Sequence, residues 1–249
     1  MIELIEVSKS FGANVILDKV SLRVEEGETL ALFGPSGTGK SVTLKHIIGL
    51  IEPDEGDVIV DGVSIPNAGR SELKRVRQRV GYVFQGSALF DSMNVEENII
   101  LGMPEQRVRE DKAGCHERAM ECLRLVNLER QVADLYPSEL SGGMQKRVAM
   151  ARAIAGHQAY LLYDEPTTGL DPKNASIITN LIAHLQEELG VTGIIVTHDI
   201  ENAFRVSDRV ALLYEAQIHA LGTVEEFLES SDPVVQSFVR PDTESVPTA

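Results

Sequence analysis

Apolar residues along this chain alternate or gather in short blocks, and polar turns separate the blocks. Residues 2–7 alternate as a half-buried strand does and run into a turn that carries one aromatic, Phe11. Ile16, Leu17 and the alternating residues 20–24 predict a second strand, so the chain is expected to open with an antiparallel β region. Residues 29–33 are a short apolar run, followed by a glycine-rich turn and then by helical spacing over 42–48. Val58-Ile59-Val60 followed by Asp61-Gly62 predicts a short hairpin. Residues 81–85 read as a buried strand ending in the amide of Gln85. From 86 to about 156 the pattern becomes mostly helical, over 95–101, 117–126 and 142–155. Three more apolar runs follow, at 159–163, 193–197 and 210–214, with an amphipathic helix over 173–189. Strands apolar throughout and alternating with helices predict an α/β fold with a mostly parallel sheet covered on both faces.

Composition narrows the class. At 249 residues the chain has room for a full core, and it is expected to form one domain over 1–240. Residues 1–85 and 157–240 make its core with the antiparallel region, 86–156 a helical subdomain, and the polar tail 241–249 is expected to be disordered. No apolar run reaches the ~18–20 residues of a membrane span, and Glu3 and Glu6 stand where a signal peptide needs cations. The chain is therefore expected in the cytoplasm. A formal net charge of −15 disfavours nucleic acid as a partner and a polybasic membrane anchor. Arg70, Lys74, Arg75, Arg77 and Arg79 form a local basic cluster, expected to be a solvated helix face. Cys115 and Cys122 lie two helical turns apart, roughly 10 Å, too far for a disulfide within one helix.

The glycine-rich turn is Gly34-Pro35-Ser36-Gly37-Thr38-Gly39-Lys40-Ser41, placed between a strand and a helix, the context in which G-x-x-x-x-G-K-[ST] cradles phosphates. Its backbone N–H groups and the helix N-terminus attract anions, Lys40 adds a point charge for the outer phosphates, and the Ser41 hydroxyl can ligate Mg²⁺. A nucleoside triphosphate is the expected ligand. Functional groups collect at the carboxyl ends of strands in such a sheet. Three further strands end in polar residues: Gln85, the pair Asp164-Glu165, and His198. Asp164 suits the metal, Glu165 an attacking water, Gln85 either one, and His198 the γ-phosphate. The chemistry implied is hydrolysis at the γ-phosphate. A second anion site is expected where Ser141, Gly142 and Gly143 open a helix, because capping alone does not require two glycines.

With Leu140-Ser141-Gly142-Gly143-Met144-Gln145 and Gly169-Leu170-Asp171 added, these motifs stand in the order and spacing of ABC-transporter ATPase subunits, which nearly the whole chain resembles. The resemblance implies the ABC ATPase fold, ATP and Mg²⁺ as ligands, and two copies facing head to tail. Ser141, Gly142, Gly143 and Gln145 of one copy would act on the ATP held by Lys40 of the other. It further implies that Phe11 stacks on adenine with Ile16 nearby, that Asp171 couples the two sites, and that the region from Gln85 to Asn98 receives a transmembrane permease subunit. The chain would then sit on the cytoplasmic face of the inner membrane through its permease. Phe84-Gln85-Gly86-Ser87-Ala88-Leu89-Phe90-Asp91-Ser92-Met93 and Asp232-Pro233-Val234-Val235-Gln236 are similar to the Mla-type and Mce-associated phospholipid-transport ATPases, which implies lipid-binding accessory subunits. Val42 departs from the usual Thr or Ser of the superfamily and removes a hydroxyl near the α-phosphate. An importer ATPase for a small polar solute shares every catalytic motif and stays open. A non-transport ABC ATPase acting on DNA or ribosomes fits poorly with a single phosphate cradle and an acidic chain.

Overall fold

Two sheets share the chain in the computed structural model, which describes residues 1–240. The first is antiparallel, with β1 (Ile2–Phe11), β2 (Asn14–Val24), β4 (Glu55–Val60) and β5 (Val63–Ser64) in the order β2-β1-β4-β5. The second contains β3 (Thr29–Phe33), β6 (Val80–Val83), β7 (Tyr160–Asp164), β8 (Thr192–Val196), β9 (Arg209–Tyr214) and β10 (Gln217–Thr223) in the order β10-β9-β3-β8-β7-β6. Its first five strands in chain order pair in parallel, and only β10 joins antiparallel. Every residue of β3, β7 and β8 is buried, as continuous apolar runs covered on both faces require.

Helices α1 (Lys40–Ile47) and α2 (Arg70–Arg79) follow β3 and β5. The helical stretch comprises α3 (Val95–Ile100), α4 (Glu105–Glu110), α5 (Lys112–Leu125) and α6 (Gly142–Ile154). Then come α7 (Pro172–Leu189), α8 (Ile200–Phe204), α9 (Val224–Glu229) and α10 (Pro233–Val239). One core packs α3, α5, α6 and α7 against Leu161, Tyr163 and Ile195 of the second sheet. Another fills the space between the first sheet, α1 and the opposite face, through Leu30, Leu32, Leu162 and Val196. Phe227 and Val235 of the C-terminal helices cover Ala31, Phe33 and Leu212 in a third.

Strand register fixes the height of the site. Leu32 and Asp164 both pair with Val196, and Val83 pairs with Tyr163. The segments leaving β3, β6, β7 and β8 therefore emerge on one level at one edge of the sheet.

Several expectations needed adjustment. The strand expected over 81–85 ends at Val83, so Gln85 stands outside it, while Asp164 is the last residue of β7 rather than the first beyond it. The basic cluster on α2 is exposed at all five residues, as expected of a solvated face, and two of them also have partners. Arg77 donates to the Ile48 and Gly49 carbonyls at 2.9 Å each, and Arg79 pairs with Asp61 at 2.8 Å. Cys115 and Cys122 are buried free thiols on α5, and burial pushes the Cys122 thiol up to about 11. The tail 241–249, expected to be disordered, lies outside the described residues.

Candidate nucleotide site

The turn between β3 and α1 is built for close approach of its backbone to a ligand. Gly39 caps α1 in the left-handed region, with φ 100°, and no side chain bonds the free N–H groups of the helix. A Cβ on Gly39 would lie 2.7 Å from Ile16 Cγ2, so only glycine fits between the turn and β2. The first turn of α1 carries no acidic residue, which leaves its positive end uncompensated within the helix. Lys40 Nζ donates to the carbonyls of Gly34 and Pro35 at 2.8 Å each. Burial pulls its ammonium below the ordinary lysine value, and the Glu165 and Asp164 charges push it back up.

Phe11, Ile16, Ser36, Gly37, Gly39, Lys40, Ser41, Val42, Gln85 and Glu165 line one cleft. Phe11 is 49% exposed, leaving a ring face available for stacking. Ser41 Oγ donates to Asp164 Oδ1 at 2.6 Å, and Tyr82 donates its hydroxyl to Oδ2 at 3.0 Å. The environment of Tyr82 raises its phenol pKa, mainly by burial and then by the Asp164 charge. Glu165 holds φ 50° and donates its N–H to Val196 O at 2.8 Å. His198 Nδ1 lies 2.7 Å from Glu165 Oε2.

Among the described residues no three of His, Cys, Asp and Glu gather to hold a metal by themselves. Ser41 and Asp164 nevertheless fit Mg²⁺, whose small octahedral shell takes one or two protein oxygens and is completed by phosphate oxygens and water. The donor set suits a cation that arrives with a nucleotide.

The 140–145 motif does not line this cleft. Ser141 caps α6, accepting from Met144 N at 3.3 Å, and the first turn again lacks an acidic residue. Gln145 Nε2 donates to Pro137 O at 2.9 Å, which shapes the turn leading into the helix. Asp171 caps α7, accepting from Lys173 N and Asn174 N at 3.1 Å each, and the Asn174 side chain and amide hold its carboxyl below the usual range. A Cβ on Gly143 would sit 3.3 Å from Asn174 Oδ1, so the starts of α6 and α7 are neighbours.

Residues 17–168 match the ABC transporter family. The chain belongs to that family. It is 43% identical over 223 residues to the spermidine/putrescine import ATP-binding protein PotA of Lawsonia intracellularis, covering 90% of this chain and 58% of PotA. It is 38% identical over 239 residues to the intermembrane phospholipid transport system ATP-binding protein MlaF of Escherichia coli K12, covering 96% of this chain and 88% of MlaF. Its fold is that of the ABC ATPase cassettes. The dimeric post-hydrolysis structure of the ATP-binding cassette MJ0796 bound to ADP and Pi superposes with a TM-score of 0.78 and 35% identity, covering 90% of this chain and 98% of that one. This chain thus spans a little over half the length of PotA but most of MlaF.

Tyr82, Lys146 and Arg152 did not stand out in the sequence, yet Tyr82 bonds Asp164 and the two cations bond the segment that follows β6. Tyr82 is hidden as one more aromatic in a strand. The two cations carried a signal: both fall on the helix that bears the apolar run Val148, Ala149, Met150 and Ala151. A charge among buried residues needs a partner, and here the partners are the backbone carbonyls of Gln85, Ser87 and Ala88.

Proposed function

We propose that this chain is the ATP-binding and hydrolysing subunit of an ABC transporter, with two copies closing head to tail on two ATP molecules. The observation that carries it is the single cleft shared by Phe11, the phosphate cradle, Gln85 and Glu165. Phe11 and Ile16 would flank the adenine, while residues 34–42 and Lys40 hold the phosphates. Mg²⁺ on Ser41 and Asp164 would neutralise charge that develops on the phosphoryl oxygens. Glu165 would accept a proton from the attacking water, Gln85 would position that water, and His198 would orient the Glu165 carboxylate and reach the γ-phosphate. Ser141, Gly142 and Gly143 offer a second helix start with exposed N–H groups, which a two-fold axis would place on the partner's nucleotide. The dimeric form of MJ0796 supports this arrangement.

The cargo we propose is phospholipid moved between membranes, through permease and lipid-binding subunits at the cytoplasmic face of the inner membrane. MlaF supports it because the match extends over 88% of that protein. The identity to PotA favours a second cargo, a small polar cation, although 58% of PotA is covered. No helix among the described residues is long and apolar enough to cross a membrane, so membrane attachment is assigned to the partners. The region from Gln85 to Asn98 is the surface we assign to the permease, and Arg152, which bonds Ser87 and Ala88 within it, also rims the groove between α2 and residues 101–105. Residues 86–156 serve in this scheme as the helical subdomain of a single domain.

Purifying the chain with its membrane partners and identifying bound molecules by mass spectrometry tests the cargo. Phospholipid in the complex is expected, and a complex carrying only a polar solute would replace it with the second cargo. Phosphate release from ATP by the purified subunit, abolished in Lys40→Ala, tests the activity.

A further inference from the structure

Two cations on α6 hold the segment that follows β6. Lys146 is only 5% exposed, and its Nζ donates to the backbone carbonyl of Gln85. Arg152, six residues further along α6, donates from Nη1 to Ala88 O at 2.7 Å and from Nη2 to Ser87 O at 2.8 Å. Ser87 and Ala88 both lie in the left-handed region, at φ 61° and 48°. Non-glycine residues enter that region at a cost and stay there only where the surroundings hold them. The Arg152 fork supplies that hold. At the other end of the loop Asn98, fully buried on α3, accepts from Phe90 N at 2.8 Å and donates to Phe90 O and Met93 O. The loop from Gln85 to Met93 is therefore fastened to α6 at one end and to α3 at the other.

Packing does not account for Lys146. A buried ammonium is costly where an apolar side chain would fill the same space. Burial draws its pKa down, and the charges of Asp164 and Glu165 oppose that. Lys146 therefore feels the charges of the two carboxylates of its own site while touching the backbone of Gln85. It stands on the helix that Ser141 caps, about 8 Å along the axis from the capped end at 1.5 Å per residue.

We propose that Lys146 and Arg152 are positioning residues that tie Gln85 to α6, so that contact of the α6 N-terminus with the partner copy's nucleotide sets the position of Gln85 in this copy's own site. The inference rests on the head-to-tail dimer proposed above. A helix shifts as a rigid body, so a displacement at residues 141–143 is delivered to the carbonyls of Gln85, Ser87 and Ala88.

Hydrogen exchange read by mass spectrometry tests it, with the Glu165→Gln chain as background and ATP with Mg²⁺ added. Sedimentation first establishes the ATP-dependent dimer. A monomer at this step would overturn the head-to-tail dimer and the inference with it. In the dimer, ATP is expected to slow exchange at residues 85–88 as well as at residues 141–145. Adding Lys146→Met should leave the dimer and the protection at 141–145 in place while removing the ATP-dependent part at 85–88. Lys146→Arg should restore it. In the chain with Glu165 intact, Lys146→Met should lower kcat at least ~10-fold and leave KM for ATP within about 2-fold, because a misplaced group costs rate more than binding. Arg152→Lys, which keeps the charge and loses the fork, should act in the same direction and serves if Lys146→Met does not fold. Wild-type ATP-dependent protection at 85–88 in both variants would overturn the proposal while leaving the dimer standing. So would a rise in exchange that is equal with and without ATP, the mark of a purely structural role.

Discussion

His198 and Glu165 join the ends of β8 and β7 through their side chains, with Nδ1 2.7 Å from Oε2. Against a carboxylate the imidazole Nδ1 must donate, which fixes the tautomer and directs the other ring nitrogen away from Glu165. Thr168 Oγ1 donates to the same Oε2 at 3.3 Å, so one oxygen of Glu165 is held from two sides. Glu165→Gln keeps the shape and removes the proposed base. Turnover should fall by ~100-fold or more, with ATP binding intact and an ATP-trapped dimer in sedimentation. His198→Ala should lower kcat by about 10-fold or more through loss of orientation, with little change in KM. Retained turnover in Glu165→Gln would assign the water to another group.

Tyr82 bears on the proposed Mg²⁺ site through Asp164. Removing its hydroxyl in Tyr82→Phe frees Asp164 Oδ2 and deletes one hydrogen bond to a charged group, worth about 1.5–3 kcal/mol in general. The expected effect is weaker Mg²⁺ dependence of ATP binding by several-fold, read by titrating Mg²⁺ at fixed nucleotide. Binding of ATP without metal should not change.

Gly39→Ala tests the cradle itself. The new methyl would meet Ile16 on β2, and φ 100° is strained for alanine. ATP affinity should drop by at least ~10-fold, since the strain of ~1–3 kcal/mol falls on the turn that presents the N–H groups. Equilibrium binding of a fluorescent ATP analogue provides the measurement.

Ser141→Arg places a long cation at the capped start of α6. ATP should bind to the variant as to the wild type, and the ATP-dependent dimer should not form. A normal dimer in sedimentation would remove residues 141–143 from the interface.

His46 gives a pH dependence of stability. It is fully buried on α1, with Nδ1 2.8 Å from Ile51 O and Nε2 without a partner. Burial, the largest effect, lowers its pKa below the ordinary 6.5. The unfolded chain therefore takes up a proton at a pH where the folded chain does not, and stability falls as pH drops below 6.5 toward the folded value. The slope from this one group is bounded by ~1.4 kcal/mol per pH unit within that window. Urea unfolding at pH 7.5 and 5.5 should show the loss, and His46→Gln should reduce it.

Much of the site was legible because its motifs are local. A phosphate cradle needs its glycines, lysine and serine within one turn, so residues 34–41 announce it on their own. Asp164 and Glu165 end an apolar strand, and a parallel sheet gathers such ends on one edge. The sequence was less explicit where chemistry depends on a distant partner. Tyr82 looked like a packing residue because nothing near it in the chain is acidic. The strand β10 and the helices α9 and α10 went unread, since their exposed, alternating residues carry meaning only once β9 offers an edge and Phe33 a face to cover.

By itself the chain determined the α/β alternation, the cradle, the carboxylates and the family, because each rests on residue types at fixed short spacing. Tertiary structure alone decided which groups touch. The register that levels Leu32, Val196 and Asp164 places Ser41 against Asp164 and His198 against Glu165. The packing of α6 on the sheet places Lys146 against Gln85. Such contacts depend on the pairing of strands and faces far apart in sequence, and no local spacing encodes them.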